Sequence, residues 1–308
     1  MNTRPIHIQK TFSLRAFHLI KRTIVKHLKD DVTLVPYGSM ITGCHNENSD
    51  IDIMIFFDKC RYAMTRSQRI NRLAKVFRIC KTQISAEKMM FIGTAKHPVI
   101  KILLNIGGID IQVEICAHNP YPVLCTWIFK SIIDSSIDKT TIRQLIRSVI
   151  SFAREHRIHG TKGRSPAISS FSYTLLVLYF LQQRGYINTW NSLSSNLGTT
   201  SVDDEDLIQV VMNGEDDANE DWSIDESYSE LPNCFDLRQE FLEYLLSILR
   251  EKYRVISIEN NFECPDKRTL LYVSNPVNLT NTTDTLSESK YYRIIDVLEE
   301  ELEWTESY

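Results

Sequence analysis

The sequence has no apolar run long enough to cross a bilayer and no closely spaced pair of cysteines. Its longest apolar stretch, residues 167–181, is interrupted by serine, threonine and tyrosine. A spanning helix needs about 18 or more apolar residues in a row, so we expect no membrane partner. The seven cysteines form an odd set without a Cys-x-x-Cys pair, which argues against a zinc site and a disulfide framework. Reduced cysteines favour an intracellular protein, cytoplasmic or mitochondrial and not secreted.

Two segments each lack charge of one sign: the first has no basic residue and the second has no acidic residue. Residues 203–230 contain twelve Asp or Glu and no Lys or Arg, and the net charge changes from −4 to +8 without them. A basic body suits a polyanionic substrate, although a solvated acidic insertion explains the charge equally well. Residues 1–29 contain seven Lys or Arg and no acid. This is typical of a mitochondrial transit peptide or of an amphipathic helix packed on the body. We favour the helix because the first chemical motif begins only at Tyr37.

The hydrophobic pattern predicts an α+β protein with two domains after the N-terminal helix. Residues 30–118 carry β-rich runs and one helical pattern, which indicate a small α/β domain. Residues 119–308 are dominated by helical patterns and indicate a mainly helical domain. The predicted strands are 32–37, 51–57, 99–104, 109–115 and 270–273. The predicted helices are 66–85, 142–156, 169–183, 235–253 and 290–304, with loop and short helical pieces at 190–233.

Two aspartates stand one residue apart at the start of the second predicted strand. Side chains alternate along a strand, so Asp50 and Asp52 point the same way. Their neighbours Ile51 and Ile53 then face the core. Adjacent carboxylates repel each other unless a cation lies between them, and Mg²⁺ prefers hard oxygen ligands of this kind. The pair therefore predicts a metal site.

Three further residues extend this pattern. Gly38 and Ser39 end the first predicted strand, where glycine permits a close backbone approach and serine offers an N–H and a hydroxyl to a phosphate. Asp110 opens a later alternating strand, and we expect a sheet edge to bring it near Asp50 and Asp52. Three carboxylates from neighbouring strands can hold two metal ions, Mg²⁺ or Mn²⁺, about 3.5–4 Å apart. Each aspartate alone is also explained as a solvated residue at a strand end, but the combination favours the metal site.

These residues resemble the DNA polymerase β-type nucleotidyltransferase superfamily, whose pattern is a Gly-Ser turn, Asp-x-Asp and a distal Asp. Within it the chain is similar to noncanonical poly(A) polymerases and terminal uridylyltransferases, most of all to mitochondrial and cytoplasmic poly(A) polymerases. Residues 98–101, 169–173 and 271–282 carry this narrower likeness. The resemblance implies a nucleotidyltransferase catalytic domain at 30–118 and a poly(A) polymerase-associated central domain at 119–308. Its nucleotide-recognition motif would lie near residues 271–282.

The resemblance implies a metal-dependent reaction that adds nucleotides to RNA 3′ ends without a template. Asp50, Asp52 and Asp110 would be both catalytic and metal-binding. One metal ion would lower the pKa of the RNA 3′ hydroxyl and the other would stabilise the leaving pyrophosphate. No RNA-recognition signature is visible in the sequence. We therefore expect backbone contacts in a basic cleft to hold the RNA, and a separate RNA-binding protein to supply specificity.

It also implies which residues hold the nucleotide. Gly38 and Ser39 would bind the triphosphate, and Ser170 would hydrogen-bond it. Phe171 would stack on the incoming base; most relatives have Tyr there, whereas mitochondrial poly(A) polymerases have Phe. Stacking survives this exchange although the hydroxyl is lost.

The basic clamp on the triphosphate departs from the family's pattern. Relatives commonly place two basic residues four apart on one helix, so that both reach the phosphates. Here Arg154 fits the second position, whereas Ile150 occupies the first. The clamp is either weaker or completed by Arg147 one turn earlier, and Arg154 alone is also explained as a surface charge.

Histidine is absent from the chain beyond residue 159. Uridylyltransferases of the family commonly contact uracil through a histidine in the C-terminal motif, and Asn281 stands about where it would be. Asparagine offers a donor and an acceptor to the adenine edge, so we predict ATP as substrate and a poly(A) polymerase. The alternatives are a uridylyltransferase that selects UTP without histidine, and an oligoadenylate synthetase-like or tRNA-adding enzyme, whose distal signatures are not found. A noncatalytic RNA-binding paralogue would typically lack one of the three aspartates.

Overall fold

A computed structural model describes most of the chain, in two compact units. The described residues are 6–28, 32–46, 49–57, 63–95, 97–136, 138–160, 167–188, 204–213, 233–258 and 269–306. The first unit comprises residues 1–128 and 201–224, and the second comprises 129–200 and 225–308. The domain boundary predicted at 118/119 stays a prediction.

The first unit contains a five-stranded sheet with helices. Its elements in chain order are α1 (Ile6–Leu28), β1 (Val32–Tyr37), α2 (Ser39–Thr42), β2 (Ile51–Phe57), α3 (Arg66–Gln83), β3 (Lys88–Ile92), β4 (Val99–Ile106), β5 (Ile109–Ala117), the beginning of α4 (Tyr121–Asp134) and α7 (Asp204–Asn213). The strand order is β1-β2-β5-β4-β3. Only β2 and β5 pair in parallel; the other neighbours among these strands are antiparallel. A parallel pair needs a long crossover, and here α3 and the β3–β4 hairpin form it.

Helices α1 and α3 cover one face of this sheet. Their apolar side chains share one core with alternate residues of the strands, including Ile53 on β2 and Val113 on β5. Helix α3 begins at a capping box, in which the Thr65 and Gln68 side chains each accept a hydrogen bond from the other's backbone N–H. Because strand side chains alternate, residues 52 and 114 lie on the face opposite to α1 and α3.

The second unit is mainly helical. Its elements after α4 are α5 (Lys139–Glu155), α6 (Ser170–Gln183), α8 (Cys234–Arg250), β6 (Arg254–Ile256), β7 (Leu271–Val273) and α9 (Glu288–Glu306). Helix α8 packs against α5, α6 and α9, and β6 pairs in parallel with β7. Helices α5, α6 and α8 each begin at a side-chain cap, formed by Asp138, Ser169 and Asn233.

The structure has strands and helices at the predicted places, together with four further elements. The sequence did not indicate α2, β3, α4 or β6. Part of the predicted loop at 190–233 is α7, with Leu207, Ile208 and Val211 buried; the other residues of that loop, except 233, lie outside the described residues. Within the described ranges, no helix has the length and hydropathy needed to cross a membrane.

Candidate active site

Two neighbouring strands place three acidic side chains side by side. Asp52 on β2 lies opposite Glu114 on β5, and the parallel register places Asp50 opposite Gln112. The Gln112 Nε2 amide donates to Asp50 Oδ2 at 3.0 Å and lies 3.5 Å from Glu114 Oε1. The three carboxylates therefore form one group, with Gln112 bridging two of them.

A lysine faces this group from the next strand. Lys101 on β4 lies opposite Glu114, and its Nζ forms an ion pair with Glu114 Oε1. Both side chains are largely buried, with exposed fractions of 16% and 21%. One lysine balances only part of the charge of three carboxylates.

The pKa of Asp52 reflects this excess of negative charge. Burial, followed by the charges of Glu114 and Asp50, raises the pKa of the Asp52 carboxyl to about 8, and Lys101 offsets only part of that increase. Tyr37, which pairs with Asp52 across β1 and β2, also has a raised pKa, through burial first and then the neighbouring Cys116 and Asp52. A bound cation would remove this penalty on the Asp52 carboxylate.

Gly38 is fitted against Asp52. Its backbone has φ of +80° and ψ of −155°, a conformation that is essentially confined to glycine, and a Cβ at this position would overlap Asp52 Oδ2. Its N–H donates to Thr126 Oγ1 at 2.8 Å, and Thr126 Oγ1 donates to the Pro122 carbonyl at 2.8 Å. Helix α4 thereby fixes the Gly38 turn. Ser39 begins α2 and is half-buried, and its hydroxyl makes no hydrogen bond to another described residue.

Asp110, the predicted third carboxylate, does not lie beside the other two. It pairs with Asn105 at the β4–β5 hairpin, and its Oδ1 accepts from Asn105 Nδ2 at 2.7 Å. Asp110 precedes Glu114 by four residues on β5, about 13 Å at 3.3 Å per residue. The expectation that Asp110 adjoins Asp52 is therefore wrong, because the β2–β5 register brings Glu114 there instead. The alternation of Asp110, Gln112 and Glu114 on one face of β5 was the signal in the sequence that pointed to this position.

The donor set suits a divalent cation, although it is not arranged around one. In the described part of the chain, no three His, Cys, Asp or Glu side chains already form a metal-binding group. The three carboxylates do not converge on one point, because Glu114 forms an ion pair with Lys101 and Asp50 accepts a hydrogen bond from Gln112. Carboxylate oxygens are nevertheless the ligands that Mg²⁺ and Mn²⁺ prefer. A bound cation would also favour the charged form of Asp52, which burial and the neighbouring carboxylates disfavour.

In the second unit, two predicted nucleotide-binding residues begin α6. The Ser170 hydroxyl lies 2.6 Å from His159 Nε2, and Phe171 is half-buried with its ring centroid 5.3 Å from that of Phe129. Burial and the nearby Arg154 charge lower the pKa of His159, so its imidazole is neutral near pH 7. His159 has no counterpart in the sequence prediction. Its only signal in the sequence was its place ten residues before Ser169.

The predicted clamp contains one basic residue at its expected place. Arg154 is exposed near the end of α5, whereas Ile150 is buried with an exposed fraction of 6%. Arg147 is half-buried, and its Nε donates to the Arg143 carbonyl at 3.2 Å. The structure thus brings Arg154 near Ser170 through His159 and leaves the first clamp position apolar.

Asn281 uses its side chain inside its own loop. Its Oδ1 accepts from the Val273 N–H at 3.1 Å and from the Thr283 N–H at 3.0 Å and hydroxyl at 2.8 Å. The prediction that it offers an acceptor to adenine is therefore wrong, since the loop takes that acceptor. Its Nδ2 is buried and has no hydrogen-bond partner within the described ranges. The loop itself is tied to α6, because Ser172 Oγ donates to the Thr282 carbonyl at 3.1 Å.

Known proteins resemble this chain in sequence over its first part and in fold over nearly its whole length. The sequence profile described as "Poly(A) RNA polymerase, mitochondrial-like, central palm domain" matches residues 8–133. Terminal uridylyl transferase 4 from Trypanosoma brucei with bound dUTP is 15% identical, with a TM-score of 0.69 covering 94% of this chain and 91% of that chain.

Two further solved structures show the same fold. The mtPAP complex with ATPγS is 17% identical, with a TM-score of 0.69 over 97% of this chain and 64% of that one. The Cid1 poly(U) polymerase with Mg and 3′-dATP is 17% identical, with a TM-score of 0.69 over 99% and 90%. The likeness to noncanonical poly(A) polymerases and terminal uridylyltransferases that the motifs indicated is confirmed.

Proposed function

We propose that this protein is a template-independent RNA 3′-terminal nucleotidyltransferase that adds AMP from ATP. The observation that carries the proposal is the group of Asp50, Asp52 and Glu114, aligned by the β2–β5 register and facing the Gly38 turn. A carboxylate group of this kind serves reactions in which metal-bound phosphates must be oriented for attack. The fold and the palm-domain match support the same class of reaction.

The three carboxylates would hold Mg²⁺ or Mn²⁺. The bound ions would supply a lowered pKa for the RNA 3′ hydroxyl and charge stabilisation for the leaving pyrophosphate. Glu114 takes the role first assigned to Asp110. Rotation of Glu114 away from Lys101 would release its carboxylate for this purpose, and the ammonium would remain in the site as a second positive charge.

Backbone and hydroxyl groups would orient the triphosphate. Gly38 lets the chain approach closely, and Ser39 offers a hydroxyl that makes no other hydrogen bond to described residues. Ser170 is assigned a phosphate contact. If the His159 imidazole donates its Nε2–H to Ser170 Oγ, the serine hydroxyl hydrogen is left to donate to a phosphate oxygen. Arg154 adds one positive charge beside this pair.

Base binding is assigned to α6 and the loop that it holds. Phe171 supplies a stacking surface, and its contact with Phe129 fixes the ring. The Ser172–Thr282 hydrogen bonds attach the recognition loop to this helix. Asn281 organises that loop, and only its Nδ2 remains to donate to a base.

The choice of ATP rests on the absence of histidine from the recognition loop. The nucleotides in the related structures do not decide it: the same uridylyl transferase carries dUTP in one structure and GTP in another, and a poly(U) polymerase carries 3′-dATP. The alternatives are a uridylyltransferase that uses UTP and a noncatalytic RNA-binding paralogue.

A four-nucleotide assay separates these functions. Purified protein is incubated with 5′-labelled oligo(A), with Mg²⁺ or Mn²⁺, and with each NTP separately. We expect the longest tails with ATP. Longer tails with UTP would make the protein a uridylyltransferase. No extension with any NTP and either metal, by protein whose circular dichroism shows an intact fold, would favour the noncatalytic paralogue.

A further inference from the structure

The two helices on the back of the first unit carry charge of only one sign. Helix α1 contains five Lys or Arg residues and α3 contains six, and neither contains an Asp or Glu. The helices pack against each other on one face of the sheet. Their outer sides therefore form one continuous basic area, and an ordinary solvated face would mix both signs.

Eight cations of this area are exposed, and six of them form what we call the back surface. They are Arg15, Arg22, Lys26, Lys75, Arg78 and Lys81. In the part of the chain that the structure describes, no carboxylate lies within ion-pair distance of any of them. The Nε atoms of Arg22 and Arg78 donate only to carbonyls of their own helices, at 3.3 and 3.2 Å. The charges of the back surface are thus uncompensated within the described chain.

The back surface lies on the far side of the sheet from the carboxylates. The apolar residues Ile53 and Val113 face α1 and α3, whereas Asp52 and Glu114 point to the opposite face. A nucleotide at Asp52 therefore does not touch the back surface. Its charges must serve a second, separate contact.

The side chains of the back surface fit a nucleic acid better than a lipid surface. A helix that inserts into a lipid surface needs bulky apolar residues on its exposed side. The apolar residues Phe17, Ile20 and Ile24 of α1 are instead buried against the sheet. Among the described residues, every large hydrophobic side chain that is exposed lies outside α1 and α3. Charge without exposed apolar anchors fits a phosphodiester backbone.

We propose that the back surface binds the body of an RNA whose 3′ end is extended elsewhere on the protein; the choice of RNA rests on the proposed function. From Arg15 to Lys26 the helix extends about 16 Å at 1.5 Å per residue. A strand of that length contains several phosphates, so several cations of the helix can each contact one. Arg15, His18 and Arg22 line a shallow hollow on this helix. The sugar-phosphate backbone of the RNA would lie in this hollow. A long RNA would then be held at two places and a short one at only one.

The test uses the full chain with the substitutions Arg15→Gln, Arg22→Gln and Lys26→Gln combined. The control combines Arg250→Gln, Arg254→Gln and Arg293→Gln, which remove the same charge from exposed positions of the second unit. Fluorescence anisotropy measures binding of a labelled unstructured RNA of about 40 nucleotides and of one of about six nucleotides, between about 50 and 200 mM salt. Extension of the short RNA is measured in parallel.

We expect the back-surface variant to bind the long RNA about tenfold or more weakly, with the slope of log K against log salt reduced by about 2. Short-RNA extension should equal that of the wild type, and the control should bind as the wild type does. Unchanged long-RNA binding, or an equal loss in the control, would overturn the proposal. A back-surface variant that binds the long RNA as the wild type does, but no longer floats with phosphatidylserine vesicles as the wild type does, would also overturn the proposal. That result would identify a lipid partner. Because binding is read without catalysis, a protein that extends no RNA would contradict the proposed function and leave this test valid.

Discussion

Asp52 on β2 lies directly opposite Glu114 on β5, on the face of the sheet away from α1 and α3. This pairing assembles the acidic group, since Asp50 follows from the Asp-x-Asp spacing and Gln112 lies opposite it. It also explains why the pKa of the Asp52 carboxyl is raised: burial and two like charges act on it together, against the charge of Lys101.

Gly38→Ala should lower kcat/KM for nucleotide addition on the order of 100-fold. The new Cβ would displace the Asp52 carboxylate, and a shift of about 1 Å at a reacting centre has an effect of that size. The backbone of residue 38, at φ +80° and ψ −155°, is strained for alanine and should also reduce stability by about 1–3 kcal/mol. Steady-state kinetics and chemical denaturation measure the two effects.

Gly108→Ala is the matched control for this change. Gly108 has the same φ of +80°, but a Cβ there meets nothing within 4 Å. This variant should lose about 1 kcal/mol of stability and keep its activity. An equal loss of activity in both variants would show that backbone strain, and not contact with Asp52, explains the effect.

Asp52→Asn should stabilise the metal-free protein at pH 8 while abolishing activity. The folded-state pKa of Asp52 is raised to about 8 from an ordinary 3.8, so the fold disfavours the carboxylate. Its contribution to stability is present below about pH 4 and is lost as pH rises toward about 8. Thermal melts in EDTA between pH 5 and 8 should therefore fall more steeply for the wild type than for the variant.

Addition of Mg²⁺ gives the complementary result. A cation bound at the carboxylates should raise the wild-type Tm at pH 8 by more than at pH 5, and should raise the Asp52→Asn variant's Tm less. A wild type that melts no differently from the variant across this pH range would refute the electrostatic account of Asp52.

Phe171→Ala should raise the KM for ATP about tenfold, because one base–aromatic stack is worth about 1–3 kcal/mol. Phe171→Tyr should keep the wild-type KM, since the ring is retained. Phe235→Ala removes an exposed ring elsewhere in the second unit and should leave KM unchanged. A KM for Phe171→Ala equal to that of the wild type would exclude Phe171 from base binding.

The local parts of the site were accessible from sequence. Period-two alternation was enough to place Asp50 and Asp52 on one face of a strand, and the β-rich runs marked β1 and β2 correctly. Helix α4 was missed because its sequence is apolar almost throughout and lacks a clear polar face. Strand β3 was missed because it is a short edge strand that ends before Gly93.

The long-range parts were not accessible. The choice between Asp110 and Glu114 depends on the β2–β5 register, which is set by a crossover of α3 and the β3–β4 hairpin and not by local pattern. The orientation of Asn281 depends on which backbone groups its loop leaves unsatisfied. A side chain that caps its own loop and one that reads a base have the same sequence signal.

The third carboxylate gives the most direct test of the account. Glu114→Gln and Asp110→Asn each exchange one carboxylate for an amide of the same shape, and Lys101→Gln breaks the Lys101–Glu114 ion pair while keeping the carboxylate. Single-turnover extension of a labelled RNA with saturating ATP and Mg²⁺ should fall on the order of 100-fold or more for Glu114→Gln, and should stay close to wild type for Asp110→Asn. Lys101→Gln should retain more activity than Glu114→Gln. Full activity in Glu114→Gln together with loss in Asp110→Asn would contradict the account.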